Sequence, residues 1–347
     1  MDPRESMGEW TPPSDWQRVT TIDAHTAGEP LRVIIDGYPP LPSGTILERR
    51  RFLKEQADGL RTSLMWEPRG HPDMYGCIIT EPETPESDFG VLFLHNEGYS
   101  TMCGHGIIAV AMVAVETGLV PPVGSETRVR IDTPAGPVTA FVDTAEDDVG
   151  SVAFDNVPSW VVELDRTVEV PGLGSVAYDL AFGGAYYAYV SAEALGLRCH
   201  PSDTQALIDM GTAIKRAVTE QATIEHPFEP DLGFLYGTIF IGPSESVDSH
   251  SRNVCVFADG EVDRSPTGTG VSGRIAIHVA RGEVELGETI RIESIIGSRF
   301  SVRAMETVRY GPHDAVVPRV EGRAFITGRH EFLIDPSDPL RNGFLLR

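Results

Sequence analysis

Residues 100–106, Ser-Thr-Met-Cys103-Gly104-His105-Gly106, lead into an apolar run from Ile107 to Val115 that stops at Gly118. Residues 264–270, Arg-Ser-Pro-Thr267-Gly268-Thr269-Gly270, lead into a second such run, Val271 to Ala280, that stops at Gly282. Cys103 stands as far from Gly118 as Thr267 does from Gly282. Each copy reads as a residue with a polar tip, a Gly-x-Gly turn, a helix, and a glycine suited to a left-handed C-cap. Both helices are apolar nearly all round, so both must be enclosed, most simply by a curled sheet.

Outside these copies, short β-rich runs dominate, among them Arg18–Ala24, Val91–His95, Asn253–Phe257 and Thr289–Glu293, separated by Gly, Pro and Asp clusters. Helical periodicity covers Leu47–Met65, Gly106–Glu116, Thr204–Gln221 and Gly270–Arg281. The first and third of these are charged on one side and belong on the surface. The pattern predicts an α+β chain of two similar halves, each a β-sheet wrapped around one central helix. Residues 1–16 read as a flexible tail. The first lobe spans 17–140 and carries Cys103. The second spans 141–317 and carries Thr267. Strands in 318–347 are expected to return to the first lobe.

Composition narrows the partners. A net charge of −23, from 51 acidic and 28 basic residues, repels nucleic acid and anionic membrane, so neither is expected. Hydrophobic content of 41% is that of a globular protein with ordinary cores. No apolar leader and no run of transmembrane length occur, and no two of the four cysteines form a Cys-x-x-Cys pair. The expectation is a cytoplasmic protein with reduced thiols. Ten histidines without His-x-x-x-His or Cys/His spacing carry no metal signal.

The two copies differ at the residue ahead of the helix. Cys103 offers a thiol of reference pKa ~8.5, and a helix end with the free amides of Gly104, His105 and Gly106 favours its thiolate. Thr267 offers a hydroxyl, which transfers no proton at neutral pH without a base beside it. Two such helix ends facing one small anion would make a site with one competent base. A lone cysteine is more often structural. The Gly-x-Gly flank favours a site, because glycines let a ligand approach the backbone. Asp263 is placed either to hold a substrate ammonium or to make a turn, the commoner role. His105 donates a hydrogen bond or packs. Cys77, Cys199 and Cys255 lack this context and receive no role. Gly268-Thr-Gly270-Val-Ser-Gly273 is a literal G-x-G-x-x-G, but a turn precedes it rather than a strand, so a dinucleotide site is rejected.

The ordered set Asp23–Pro30, 67–76, His95–Gly106, 181–184, Asp263–Gly270 and 293–297 resembles the proline racemase family from about residue 20 to the C-terminus. The resemblance implies a diaminopimelate-epimerase-like fold of two pseudo-symmetric lobes, a homodimer, and no cofactor. Family racemases carry cysteine at both helix ends, whereas here the second is Thr267. The Cys/Thr pairing resembles that of the family's trans-3-hydroxy-L-proline dehydratases. This implies a hydroxyproline-type substrate, with Cys103 matching the proton-abstracting position. Gly104, His105, Asp263, Gly268 and Thr269 match substrate-contacting positions. A racemase or 2-epimerase, and a non-catalytic amino-acid-binding protein, are the competing readings.

Overall fold

In the computed structural model, residues 7, 10–145 and 149–346 are described. Half of the expected tail lies outside these residues. Within its described part, Trp10 packs edge-on against Trp16, with ring centroids 6.0 Å apart. The protein is a strand-rich mixed α/β fold. Two series of strands surround the two apolar helices.

The first series starts with Gln17–Thr26, which pairs antiparallel with both Glu29–Asp36 and the C-terminal strand Ala324–Ile334. It continues through Tyr75–Thr80, parallel, then Phe89–His95, antiparallel, then Glu126–Thr133, parallel. Gly136–Asp143 and Val152–Asp155 follow, both antiparallel. The second series, from Gly174–Phe182 through Tyr186–Ser191, Leu235–Gly242, Ser251–Phe257, Thr289–Glu293 and Arg299–Tyr310 to His313–Gly322, repeats that alternation of parallel and antiparallel pairs. His313–Gly322 also pairs with Ser159–Val170, which closes the second series into a ring, and with Val152–Asp155 of the first series.

The helices Gly104–Glu116 and Gly268–Ala280 occupy equivalent places, each between the fourth and fifth strands of its series. Every residue from Gly104 to Val115 is buried, as an all-apolar helix requires. Gly118 and Gly282 take φ of 74° and 68°, the left-handed conformation that ends each helix without a Cβ clash.

The structure differs from the sequence expectation in two places. The helix expected over Leu47–Met65 is two helices, Ile46–Gln56 and Asp58–Met65, broken at Ala57. The break sets Arg61 inside, where it pairs with Asp58 at 2.7 Å and donates to the His95 carbonyl at 2.9 Å. Arg49 is also buried, so this segment is not a purely solvated face. Ser159–Val170 is a strand that was not among the runs named from sequence. Its pairing slips register at Val161/Glu163 and again at Glu163/Arg166, which erases the alternation that marks a half-buried strand. Among the described residues, no helix is long and apolar enough to cross a membrane.

Candidate active site

The two helix N-termini abut. A Cβ on Gly104 would lie 2.5 Å from the Gly268 Cα, and one on Gly268 would lie 2.6 Å from the Gly104 Cα. The second glycine of each turn has another duty. A Cβ on Gly106 would strike Phe93 at 2.5 Å, and one on Gly270 would strike Ile239 at 2.4 Å. These glycines therefore make room for protein backbone and side chains, and Gly104 and Gly268 line the cavity as well. A Cβ on Gly273 would meet the Tyr189 hydroxyl at 2.3 Å, so the G-x-G-x-x-G string is packed against protein too. Gly104→Ala should destabilise the fold by about 1–3 kcal/mol, because backbone stands where the methyl must go. Urea midpoints would measure this against Gly98→Ala, where a Cβ meets nothing within 4 Å.

All seven residues singled out from sequence line one tight cavity of ≈ 20 Å³: Cys103, Gly104, His105, Asp263, Thr267, Gly268 and Thr269. More open clefts exist, such as one beside Tyr38, Leu41 and Arg49, but none gathers this chemistry. Cys103 caps its helix from extended backbone, φ −143° and ψ 106°, and its Sγ accepts the Gly106 N–H at 3.3 Å. The His105 ring nitrogens lie 3.3 and 3.6 Å from the same sulfur. The helix end favours the thiolate as expected, yet burial outweighs it and pushes the Cys103 thiol well up; Asp263 and Glu29 push it further. Cys103 is therefore a protonated thiol in this enclosed site. His105 is driven down to about 3 by burial, so its imidazole is neutral at pH 7.

Thr267 is not a mirror image of Cys103. It caps its helix with φ 67° and ψ 97°, which is unusual for a β-branched residue, and its side chain caps nothing. Its Oγ1 is buried without a hydrogen bond of normal geometry. A looser approach to Asp263 and Cys255 favours the charged form of each. The Ser265 N–H donates to Asp263 at 2.7 Å, and the Ser265 hydroxyl accepts from the Thr267 N–H at 3.1 Å. Burial raises Asp263 to about 6 despite these bonds. Thr269 Oγ1 meets the Tyr187 hydroxyl at 2.7 Å.

Sequence reasoning missed the walls. Tyr75, Tyr187, Tyr236, Cys255 and Phe257 also line the cavity. Each sits in a strand whose neighbours are equally buried, so no local pattern separated them from ordinary core. Cys255 had been given no role. It stands on the Thr267 side, with Tyr187, Tyr189 and Tyr236 close enough for its charge to affect theirs. Glu29 is fully buried and accepts the Arg264 N–H at 2.7 Å, which ties the first strand pair to the Asp263–Thr267 loop.

A thiol and a hydroxyl stand at two abutting helix ends, beside a buried carboxyl, in a fold similar to that of a solved epimerase. That epimerase acts on hydroxyproline, comes from Agrobacterium vitis, and was solved with trans-4-hydroxy-L-proline bound. The match has TM-score 0.91 at 31% identity and covers 96% of each chain. Residues 21–345 match the proline racemase family, and the chain belongs to it. A relative from Colwellia psychrerythraea, described as a trans-3-hydroxy-L-proline dehydratase, is 51% identical over 98% of this chain and 96% of its own. One from Burkholderia multivorans, described as a 3-hydroxyproline 2-epimerase, is 46% identical over 95% of this chain and 98% of its own.

Proposed function

We propose that this protein is a hydro-lyase that converts trans-3-hydroxy-L-proline to Δ1-pyrroline-2-carboxylate, with Cys103 as the base. The observation that carries this reading is that Cys103 and Thr267 line one cavity, so the helix end opposite Cys103 carries a hydroxyl where a two-thiol site would carry a cysteine. The likeness to the Colwellia dehydratase along nearly the whole chain supports it. In the trans isomer the 3-hydroxyl lies on the same ring face as the α-hydrogen. One group on that face can therefore serve both bond cleavages.

Cys103, as thiolate, takes the α-proton. The electron pair forms the Cα–C3 double bond, the C3–O bond breaks, and the thiol returns the proton to the departing hydroxide as water. The resulting enamine tautomerises to the imine. The amides at the two helix N-termini hold the carboxylate and the developing charge, with Gly104, Gly268 and Thr269 at those ends. Asp263 holds the ring ammonium. His105, neutral, positions the sulfur. The Cys103 proton is lost when solvent or the substrate ammonium relieves the burial and like charge that hold it. The opposite face needs no acid, so Thr267 suffices there. This chemistry uses one proton and no cofactor.

The same reading takes the chain as two pseudo-symmetric lobes, 17–140 with 318–347 and 141–317, in a cytoplasmic homodimer. The Burkholderia relative favours a second reading, 2-epimerisation, which requires a proton donor on the Thr267 side. Incubation with trans-3-hydroxy-L-proline, trans-4-hydroxy-L-proline and L-proline separates the two. Pyrroline-2-carboxylate from the first substrate alone is the expected result. Inverted 4-hydroxyproline without dehydration would overturn it.

The pH profile tests Asp263. A carboxyl raised to about 6 is charged above that pH and neutral below it, so ammonium binding should fail as pH drops through about 6. kcat/KM should fall on this acid limb, and Asp263→Asn should abolish the limb. His105, at about 3, titrates below this window. An unchanged limb in the variant would assign it to another group.

A further inference from the structure

The cavity is shut: Cys103 is 4% exposed, and Asp263 and Thr267 are 5% exposed. A small amino acid reaches them only if part of the protein moves. One cleft shares a wall with the cavity. It is lined by Arg50, Lys54, His95, Lys215 and Phe234, and it meets the cavity at Tyr236. A second cleft, lined by Thr45, Pro134, His226, Phe228 and Tyr310, shares no residue with the cavity.

Tyr236 stands near the start of strand Leu235–Gly242. Its hydroxyl lies 3.3 Å from that of Tyr75, a long and weak contact, whereas Tyr75 is held firmly by Ser100 at 2.5 Å. The two phenols, from different strand series, form a bar across the cavity. Tyr75 is braced from behind by His95, stacked at 5.5 Å. Tyr236 stacks on Phe257 at 5.3 Å, meets His95 and Tyr187 edge-on at 6.0 and 5.8 Å, and also lines the open cleft. The chain just ahead of it carries one exposed ion pair, Arg51 to Asp231 at 2.8 Å, beside the buried Leu232. Exposed pairs of this kind break readily.

We propose that substrate enters through this cleft, and that Tyr236 is the residue that swings aside to admit it and then closes over the ring. Breaking the Tyr75–Tyr236 contact and the Arg51–Asp231 pair frees Tyr236 to turn into the cleft. Opening also lets water reach Cys103, which relieves the burial that keeps the thiol protonated. The proposal rests on the dehydratase reading only in placing a small amino acid in the cavity.

Two measurements test it. In the first, Cys103 alkylation by iodoacetamide is followed by peptide mass. Tyr236→Ala should speed it at least tenfold, and Arg51→Ala by a smaller factor. An unchanged rate in Tyr236→Ala overturns the proposal, whatever the enzyme's reaction proves to be. The second uses single cysteines at exposed positions, which is practical because all four native cysteines are buried. Phe234→Cys lies in the proposed entrance, Phe228→Cys in the second cleft, and Ile296→Cys on the Arg264 side; these residues are 39%, 59% and 54% exposed. Each variant is labelled with a bulky maleimide and compared with its unlabelled form. The label at position 234 should slow turnover at least tenfold, and the other two should change it less than twofold. Equal slowing at all three, or slowing at 228 or 296 alone, overturns the assignment of the entrance.

Discussion

Cys103→Ser should lower turnover on the order of 10³-fold or more while leaving the protein folded. Serine is among the strongest N-cap residues, and the Gly106 N–H that now donates to sulfur can donate to the new oxygen. Thermal stability should hold or rise slightly, so a loss of rate cannot be ascribed to unfolding. The rate falls because a hydroxyl is a far weaker acid than a thiol and has no base beside it. His105 is neutral, close to the sulfur, and kept from protonating by burial. It is therefore poorly placed to store a proton taken from serine. Positioned acid/base groups contribute about 10²–10⁴-fold. Single-turnover rates at saturating substrate, with melting temperatures, would check this. Near-normal turnover would mean that another residue is the base.

Thr267→Cys should add inversion of the α-carbon to a site that otherwise works from one face. The position accepts the change. Thr267 has φ 67°, where a β-branched side chain is strained, and its Oγ1 has no good partner to lose. A thiol there would face the bound ring from the helix end opposite Cys103, where the parent presents a hydroxyl. The variant should exchange the α-hydrogen of L-proline or 4-hydroxyproline with solvent and invert it at least about 100-fold faster than the parent. The parent should wash in deuterium with retention, if at all. Chiral chromatography after incubation in deuterated water separates the two outcomes. If the parent inverts these substrates as fast as the variant, Thr267 does not set the reaction type. The new thiol would lie near Asp263 and Cys255, so its acidity should be suppressed as that of Cys103 is.

The repeated segments around Cys103 and Thr267 were legible because their signals are local. A 3.6-residue apolar period, a Gly-x-Gly turn and a stop glycine each act within one helix and need no knowledge of the rest of the chain. The same segments hold six of the seven cavity residues singled out from sequence, with Asp263 just ahead of the second, since helix ends carry their own neighbours with them. The strand Ser159–Val170 was not legible, because two register slips destroy the period. The break at Ala57 was not legible either, because it serves buried arginine contacts with carbonyls from the distant loop at 95–96.

The sequence by itself determined the two enclosed helices, their left-handed glycine stops, and the thiol-for-hydroxyl difference between their N-termini. Tertiary structure alone decided what those N-termini experience. Gly104 and Gly268 touch because two strand series bring together segments far apart in the chain, and no local pattern encodes that contact. The helix end pulls the Cys103 thiol toward ionisation, but enclosure by Tyr75, Tyr236, Phe257 and the buried carboxyls pushes it further the other way. Desolvation depends on everything that surrounds a group from all directions. Helix polarity depends only on the turn that follows it. The first is a property of the fold, and only the second can be read along the chain.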